Sequence, residues 1–317
     1  MPKTKLEIVS QPTGLEGLVS DYLAHQRGRG LSPRSVQQAV DVLERQFIPW
    51  CRTVDITGPA QLDQRALDRW GAHLLEDHRT PAGKPLARES ARTYLRALGQ
   101  FIRWAQAEEA IGAKVKLQTP ERQRRLLETL SREELQRMED VAGTERDKLV
   151  VRLLADTGIR LGELLGLRTG DLIEQGRERY LKVRGKGARE RLVPLALGLF
   201  QRLRRYAEKS RPAGTRSERI FLTTRRSSKT GDFEPVQARS IQNAIAYTAQ
   251  AAEIERPVHP HLFRHSYATW ALRRGMNPLQ LKDILGHADL TMISGVYSHL
   301  TATDAHSAMM ALLRTED

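Results

Sequence analysis

The chain has 317 residues, 40% of them hydrophobic, and its 51 lysines and arginines outnumber 38 acids, giving a formal charge of +13 at neutral pH. That length suits about two domains of roughly 150 residues each, and the apolar fraction excludes a disordered or low-complexity chain. So basic a balance points to a polyanionic partner, nucleic acid before an anionic membrane surface.

No apolar run approaches a membrane span, and no signal-peptide core opens the chain. The single cysteine, Cys51, excludes an intramolecular disulfide framework and a cysteine-rich zinc site. A cytoplasmic, nucleoid-associated protein that binds nucleic acid is the expectation.

In chain order, Leu15, Leu18, Val19, Tyr22 and Leu23 recur at helical spacing and predict an amphipathic helix. Ser32-Pro33 reads as an N-cap with proline at the first helical position. The helix it opens carries Val36, Val40, Leu43 and Phe47, and Pro49 should stop it. A third helix covers about 59–77 and a fourth about 87–110. On the fourth, Tyr94, Leu95, Leu98, Phe101, Ile102 and Ala105 share one side. Arg88, Arg92, Arg96 and Arg103 form a stripe about a third of a turn away. A basic face can be merely solvated, but four arginines with no acid interleaved on the stripe favour phosphate contact.

Residues 12–111 thus read as a helical unit, 112–130 as a polar, basic linker and 131–317 as a second unit. Ser131 and Glu134 form a capping box that opens the second unit's first helix. The run "ERYLKVRGKGARERLVPL" (178–195) has two apolar-alternating stretches around Gly185-Lys186-Gly187, a β-hairpin. The rest of this unit reads helical. The fold class is therefore mainly α with a small β-hairpin or sheet, α+β.

Three stretches carry chemistry. In "HPHLFRHSYAT" (259–269), Pro260 fits the first turn of a helix running to about Arg274. Phe263, Tyr267 and Trp270 line its buried side, which leaves His261, Arg264 and His265 on the opposite half as a polar edge. His261 and His265 have the spacing of the paired histidines in a zinc H-E-x-x-H motif. Position 262 is leucine, however, and a guanidinium lies between the imidazoles, so a metal is set aside. Imidazole beside guanidinium suits a phosphate better.

In "DTGIRLGELLGL" (156–167), a turn at Gly158 precedes Arg160. Glu163 is its local salt-bridge candidate, and a substrate phosphate is the functional alternative. In "LGHADL" (285–290), Asn277-Pro278 starts a helix that Gly286 can end in a left-handed cap, with His287 just beyond. Tyr297 follows in "VYSHL".

Together these motifs, in this order, resemble the tyrosine recombinases, or phage-type integrases, which include the Xer proteins. The resemblance covers the whole second unit, and the helical first unit resembles the family's core-binding domain. It implies a site-specific DNA recombinase that cuts and rejoins strands through a 3′-phosphotyrosyl intermediate.

In that scheme Tyr297 is the nucleophile and His261 its base, with Lys186, or alternatively Lys182, the acid for the departing 5′-oxygen. Arg160, Arg264 and His287 bind the phosphate, and Glu163 orients Arg160 or its neighbours. No metal, cofactor or ATP is implied. The implied partners are double-stranded DNA with an inverted-repeat core site and further copies of the chain, as a dimer to a tetramer. A partner recombinase is possible within the family.

The pattern departs from the family in one place: the tyrosine follows the "LGH" histidine one residue late. On a continuous helix that turns a side chain by about 100°. A DNA-binding protein of the same fold with impaired strand cleavage is therefore the alternative, and a metal-dependent hydrolase using the histidines is a third. Only about a dozen residues precede the first helix, which favours a two-domain, Xer-like layout over one with an arm-binding domain. The last stretch, "DAHSAMMALLRTED", reads as an amphipathic helix whose Met309, Leu312 and Leu313 contact either its own unit or a neighbouring protomer.

Overall fold

The protein is described by a computed structural model covering residues 14–112, 115–120, 128–185, 189–286 and 309–310. The chain divides into two units, Met1–Arg124 and Arg125–Asp317. Both are helical, and the second holds one small antiparallel sheet. Among the described residues no helix is long and apolar enough to cross a membrane.

The first unit packs α1 (Leu15–Gly28), α2 (Pro33–Val42), α3 (Ile48–Thr53), α4 (Gln64–Glu76) and α5 (Arg88–Ala107) around a single apolar core. Ser32 caps α2 by accepting from the Ser35 amide at 3.2 Å, as its sequence predicts. Pro49 does not stop the helix.

Instead α2 runs through a π turn, Leu43–Phe47, in which the Ile48 amide reaches back to the Leu43 carbonyl. The wider turn accommodates the proline ring in the first turn of α3, where a missing amide costs little. Trp70 fills the centre of this core with Phe47 and Trp50 at 5.3 and 5.2 Å between ring centroids. Cys51 is fully buried beside them, and burial pushes its thiol up to about 12.

In the second unit α7 (Glu145–Thr157) is the central helix, contacting α6 (Arg132–Val141), α8 (Leu161–Gly166), α9 (Leu197–Arg205), α10 (Ala238–Ala251) and α11 (Pro260–Arg273). The capping box of Ser131 and Glu134 opens α6. The sheet has the order β1 (Leu172–Gln175), β2 (Glu178–Arg184), β3 (Glu190–Pro194), all antiparallel. The sequence reading anticipates β2 and β3 but misses β1.

The two-residue turn Gly176-Arg177, with Gly176 at φ 58°, is the signal that would reveal β1, since a positive φ at the first turn position suits a tight hairpin. Leu181 and Val183 point from β2 into the helical layer and are fully buried. The closing helix α12 (Pro278–Leu285) starts at an Asn277 cap and ends at Gly286 in the left-handed region, φ 65°.

Gly158 ends α7 at φ 60°, and its backbone lies against α11 and α12. A β-carbon there would stand 2.6 Å from Tyr267 Cδ1 and 2.8 Å from Leu285 Cδ2. Gly158→Ala is expected to destabilise the second unit by about 2–4 kcal/mol, from left-handed strain plus overpacking. Denaturant unfolding measures this, and a change under about 0.5 kcal/mol would be the ordinary cost of an unconstrained surface site.

Candidate active site

The site begins at the Gly158 turn. The chain leaves α7 there and re-enters a helix at Arg160, the N-cap residue of α8. The Arg160 amide donates to Glu163 Oε2 at 2.9 Å, and its guanidinium Nη1 donates to Glu163 Oε1 at 2.9 Å. Glu163 is buried, yet its carboxyl lies below the usual carboxylate range. Burial alone would raise it, and hydrogen bonds from Arg191 and Arg160 outweigh burial. The local ion pair anticipated for Arg160 is present. It occupies one edge of the guanidinium, which remains partly exposed.

From α11 come His261 and Arg264. His259 caps the helix, its Nδ1 accepting from the Leu262 amide at 3.2 Å, and Pro260 occupies the first turn. The expected polar edge is not what forms, because Arg264 is only 2% exposed. Almost every side of α11 is buried, since α7 and α12 both pack on it.

The Arg264 guanidinium donates to the Gly158 carbonyl at 2.8 Å and the Leu285 carbonyl at 2.7 Å. Its Nε has no partner, and no carboxylate pairs with it among the described residues. Burial and then the charge of Arg160 lower its pKa to about 9, with Glu163 opposing. It is still cationic at neutral pH.

Arg160 reaches the same end of α12, with a long 3.5 Å contact to the Leu285 carbonyl and 3.3 Å to that of Gly286. Two guanidinium groups from distant parts of the chain thus converge on one carbonyl oxygen. Beside them His261 is exposed to the cleft. Its pKa is lowered, first by desolvation and then by His259, Arg264 and Arg160, so its imidazole is neutral at pH 7.

The cleft they share encloses about 1390 Å³. Among the described residues six cationic side chains line it, Arg160, Arg184, Arg189, Arg191, Arg264 and Lys282, against three carboxylates. Lys186, His287 and Tyr297 lie outside the described residues, as do Leu312 and Leu313; Met309 is exposed. Lys182, the alternative to Lys186, pairs with Glu190 at 3.8 Å. Among the described residues no group of three or more His, Cys, Asp and Glu side chains could hold a metal ion.

Sequence reasoning missed Arg191. It stands in step with Val193 and Leu195 in the alternation of β3, an arginine in register with buried residues, and that register is the signal.

The basic stripe on α5 is in part as expected. Arg88, Arg96 and Arg103 are exposed, whereas Arg92 is half-buried and pairs with Glu89 at 3.4 Å. An acid three residues back does reach one member of the stripe.

Residues 128–304 match the phage integrase family. Tyrosine recombinase XerC 2 of Ralstonia nicotianae is 31% identical over 268 residues, which span 81% of this chain and 74% of that one. Among solved structures, the Tn1549 transposon integrase in complex with circular intermediate DNA superposes with a TM-score of 0.68. The two are 19% identical, over 92% of this chain and 98% of that one. A lambda integrase tetramer bound to a Holliday junction gives 0.67 at 17% identity, over 90% and 78%. At such identities the structures speak for the fold, and the sequence matches speak for descent. The chain belongs to the phage integrase family, the tyrosine recombinases.

Proposed function

We propose that this protein is a site-specific DNA recombinase that exchanges strands through a 3′-phosphotyrosyl intermediate, with no metal ion or ATP in the chemical step. One observation carries the reading. Arg160 and Arg264 meet on a single carbonyl in a cationic cleft that also holds a neutral His261.

A phosphodiester under attack gains negative charge on its non-bridging oxygens, and fixed guanidinium donors stabilise that charge without reorganising. In the proposed step the Tyr297 oxygen attacks phosphorus and the bond to the 5′-oxygen breaks. His261 takes the phenol proton and Lys186 gives a proton to the departing 5′-oxygen, while His287 adds a donor at the phosphate. A second 5′-hydroxyl then reverses the step. The phosphoester bond is exchanged rather than lost, so rejoining draws no external energy.

The substrate in this reading is double-stranded DNA with an inverted-repeat core site, bound by two to four copies of the chain, with or without a partner recombinase. The first unit is assigned to core-site binding and the second to strand exchange, with Arg88, Arg96 and Arg103 on backbone phosphates and Arg92 a weaker contributor. The late position of Tyr297 relative to His287 favours one second reading, a DNA-binding protein that does not cleave.

Incubation with nicked core-site DNA in EDTA separates the readings. A covalent adduct that Tyr297→Phe abolishes, and that Arg264→Ala slows by about 100-fold or more, is the expected result. Binding with no adduct selects the non-cleaving reading. Activity lost to the chelator selects a metal enzyme.

The adduct rate should be flat near neutral pH and fall on acidification once His261 protonates, below the ordinary imidazole value, because its pKa is lowered. His261→Asn should slow cleavage and remove that limb.

Arg96→Ala should weaken DNA binding for all sequences alike. It should also flatten the slope of log K against log salt by about 0.9. An unchanged slope would mean that Arg96 is only solvated.

A further inference from the structure

Around Glu163 the charges are arranged unequally. Its Oε1 accepts from Arg160 Nη1 at 2.9 Å and from Arg191 Nη1 at 3.0 Å, and its Oε2 accepts from the Arg160 amide at 2.9 Å and from Arg191 Nη2 at 2.8 Å. The two-pronged partner of the buried carboxylate is therefore Arg191, from β3, and not Arg160. The Arg191 Nε donates in turn to the Ile284 carbonyl at 2.6 Å, in the last turn of α12. Its guanidinium lies against Gly286, where a β-carbon would come within 2.8 Å of Nη1.

Arg191 thus ties three things together: the strand leading out of the hairpin, the carboxylate that aims Arg160, and the end of α12, whose Leu285 carbonyl holds Arg264. Among the described residues, Arg160, Arg191 and Arg264 are the charged groups that face Glu163. These three cations and one anion leave a net charge of two. Removing Arg191 halves it and leaves Glu163 to neutralise Arg160 rather than orient it.

We propose that Arg191 is a positioning residue for strand exchange. It saturates Glu163, so that Arg160 and Arg264 keep their charge and their aim for the scissile phosphate. The proposal rests on the recombinase reading for its activity test, and a second test stands without it.

The full-length chain carrying Arg191→Met or Arg191→Lys is compared with the unaltered protein. Far-ultraviolet circular dichroism and equilibrium binding to uncleaved core-site DNA verify the fold. Arg191→Met is expected to bind DNA within about 3-fold of the unaltered protein while its adduct rate falls by about 100-fold, the usual effect of misplacing a catalytic group by an ångström. Its rate should fall away at higher pH than that of the unaltered protein, because a buried Glu163 with one guanidinium fewer protonates sooner. Arg191→Lys restores charge but not the planar fork, so it should recover part of the rate.

An Arg191→Met rate within about 3-fold of the unaltered protein overturns the proposal. So does a loss of DNA binding that matches the loss of rate, which is the mark of a purely structural residue. If the unaltered protein forms no adduct, the recombinase reading fails, and binding of orthovanadate or inorganic phosphate to the cleft decides Arg191 instead. Anion affinity about 10-fold weaker in Arg191→Met supports it, and equal affinity overturns it.

Discussion

A guanidinium removed from water must recover its hydrogen bonds inside the protein, and the second unit is organised around meeting that demand for Arg264. Burying such an ion costs several kcal/mol even after relaxation. The return comes from two carbonyls on different elements, one on the Gly158 turn and one at the end of α12. Hydrogen bonds to a charged group contribute about 1.5–3 kcal/mol each. The last turn of α12 also presents the negative end of a helix dipole. Satisfying one side chain therefore sets the mutual placement of α7, α11 and α12, and Gly158 is needed because only a bare backbone lets them approach so closely.

The same arrangement explains the cleft's electrostatics. A carboxylate partner would have satisfied Arg264 more simply, but it would also have cancelled the charge. Dipoles hold the guanidinium in place and leave its field uncompensated. Arg160 is handled in a similar way, with one edge on a carboxylate that is itself shared and the other near carbonyls. The result is a concave surface whose positive potential comes from groups that cannot turn away, which is what preorganised binding of a phosphate requires. His261, pressed toward its neutral form first by desolvation and then by the same surplus of charge, is left able to accept a proton.

Much of this was legible in the residues. Capping residues gave the helix starts at Pro33, Arg132 and Pro278, and a left-handed glycine gave the end of α12, because both signals are local. What local pattern could not show was anything decided by a third element. Helical periodicity places Arg264 opposite Phe263 and Tyr267, which looks like a solvent face until α12 covers it. Pro49 looks like a stop because a π turn has no propensity signature. β1 is too short for its alternation to stand out beside a charged turn. Arg191 was hidden for the opposite reason: one more arginine in a basic hairpin attracts no notice until its register is compared with that of Val193.

The first unit's core has a practical consequence of its own. Its one sulfhydryl, at position 51, is sealed in the apolar core and held far from its reactive thiolate form. Maleimide dyes and spin labels thus meet no native target while that core stays folded. A cysteine introduced at any exposed position would carry the only probe on the molecule, so motions of either unit can be followed by fluorescence transfer or electron resonance without first deleting the natural residue.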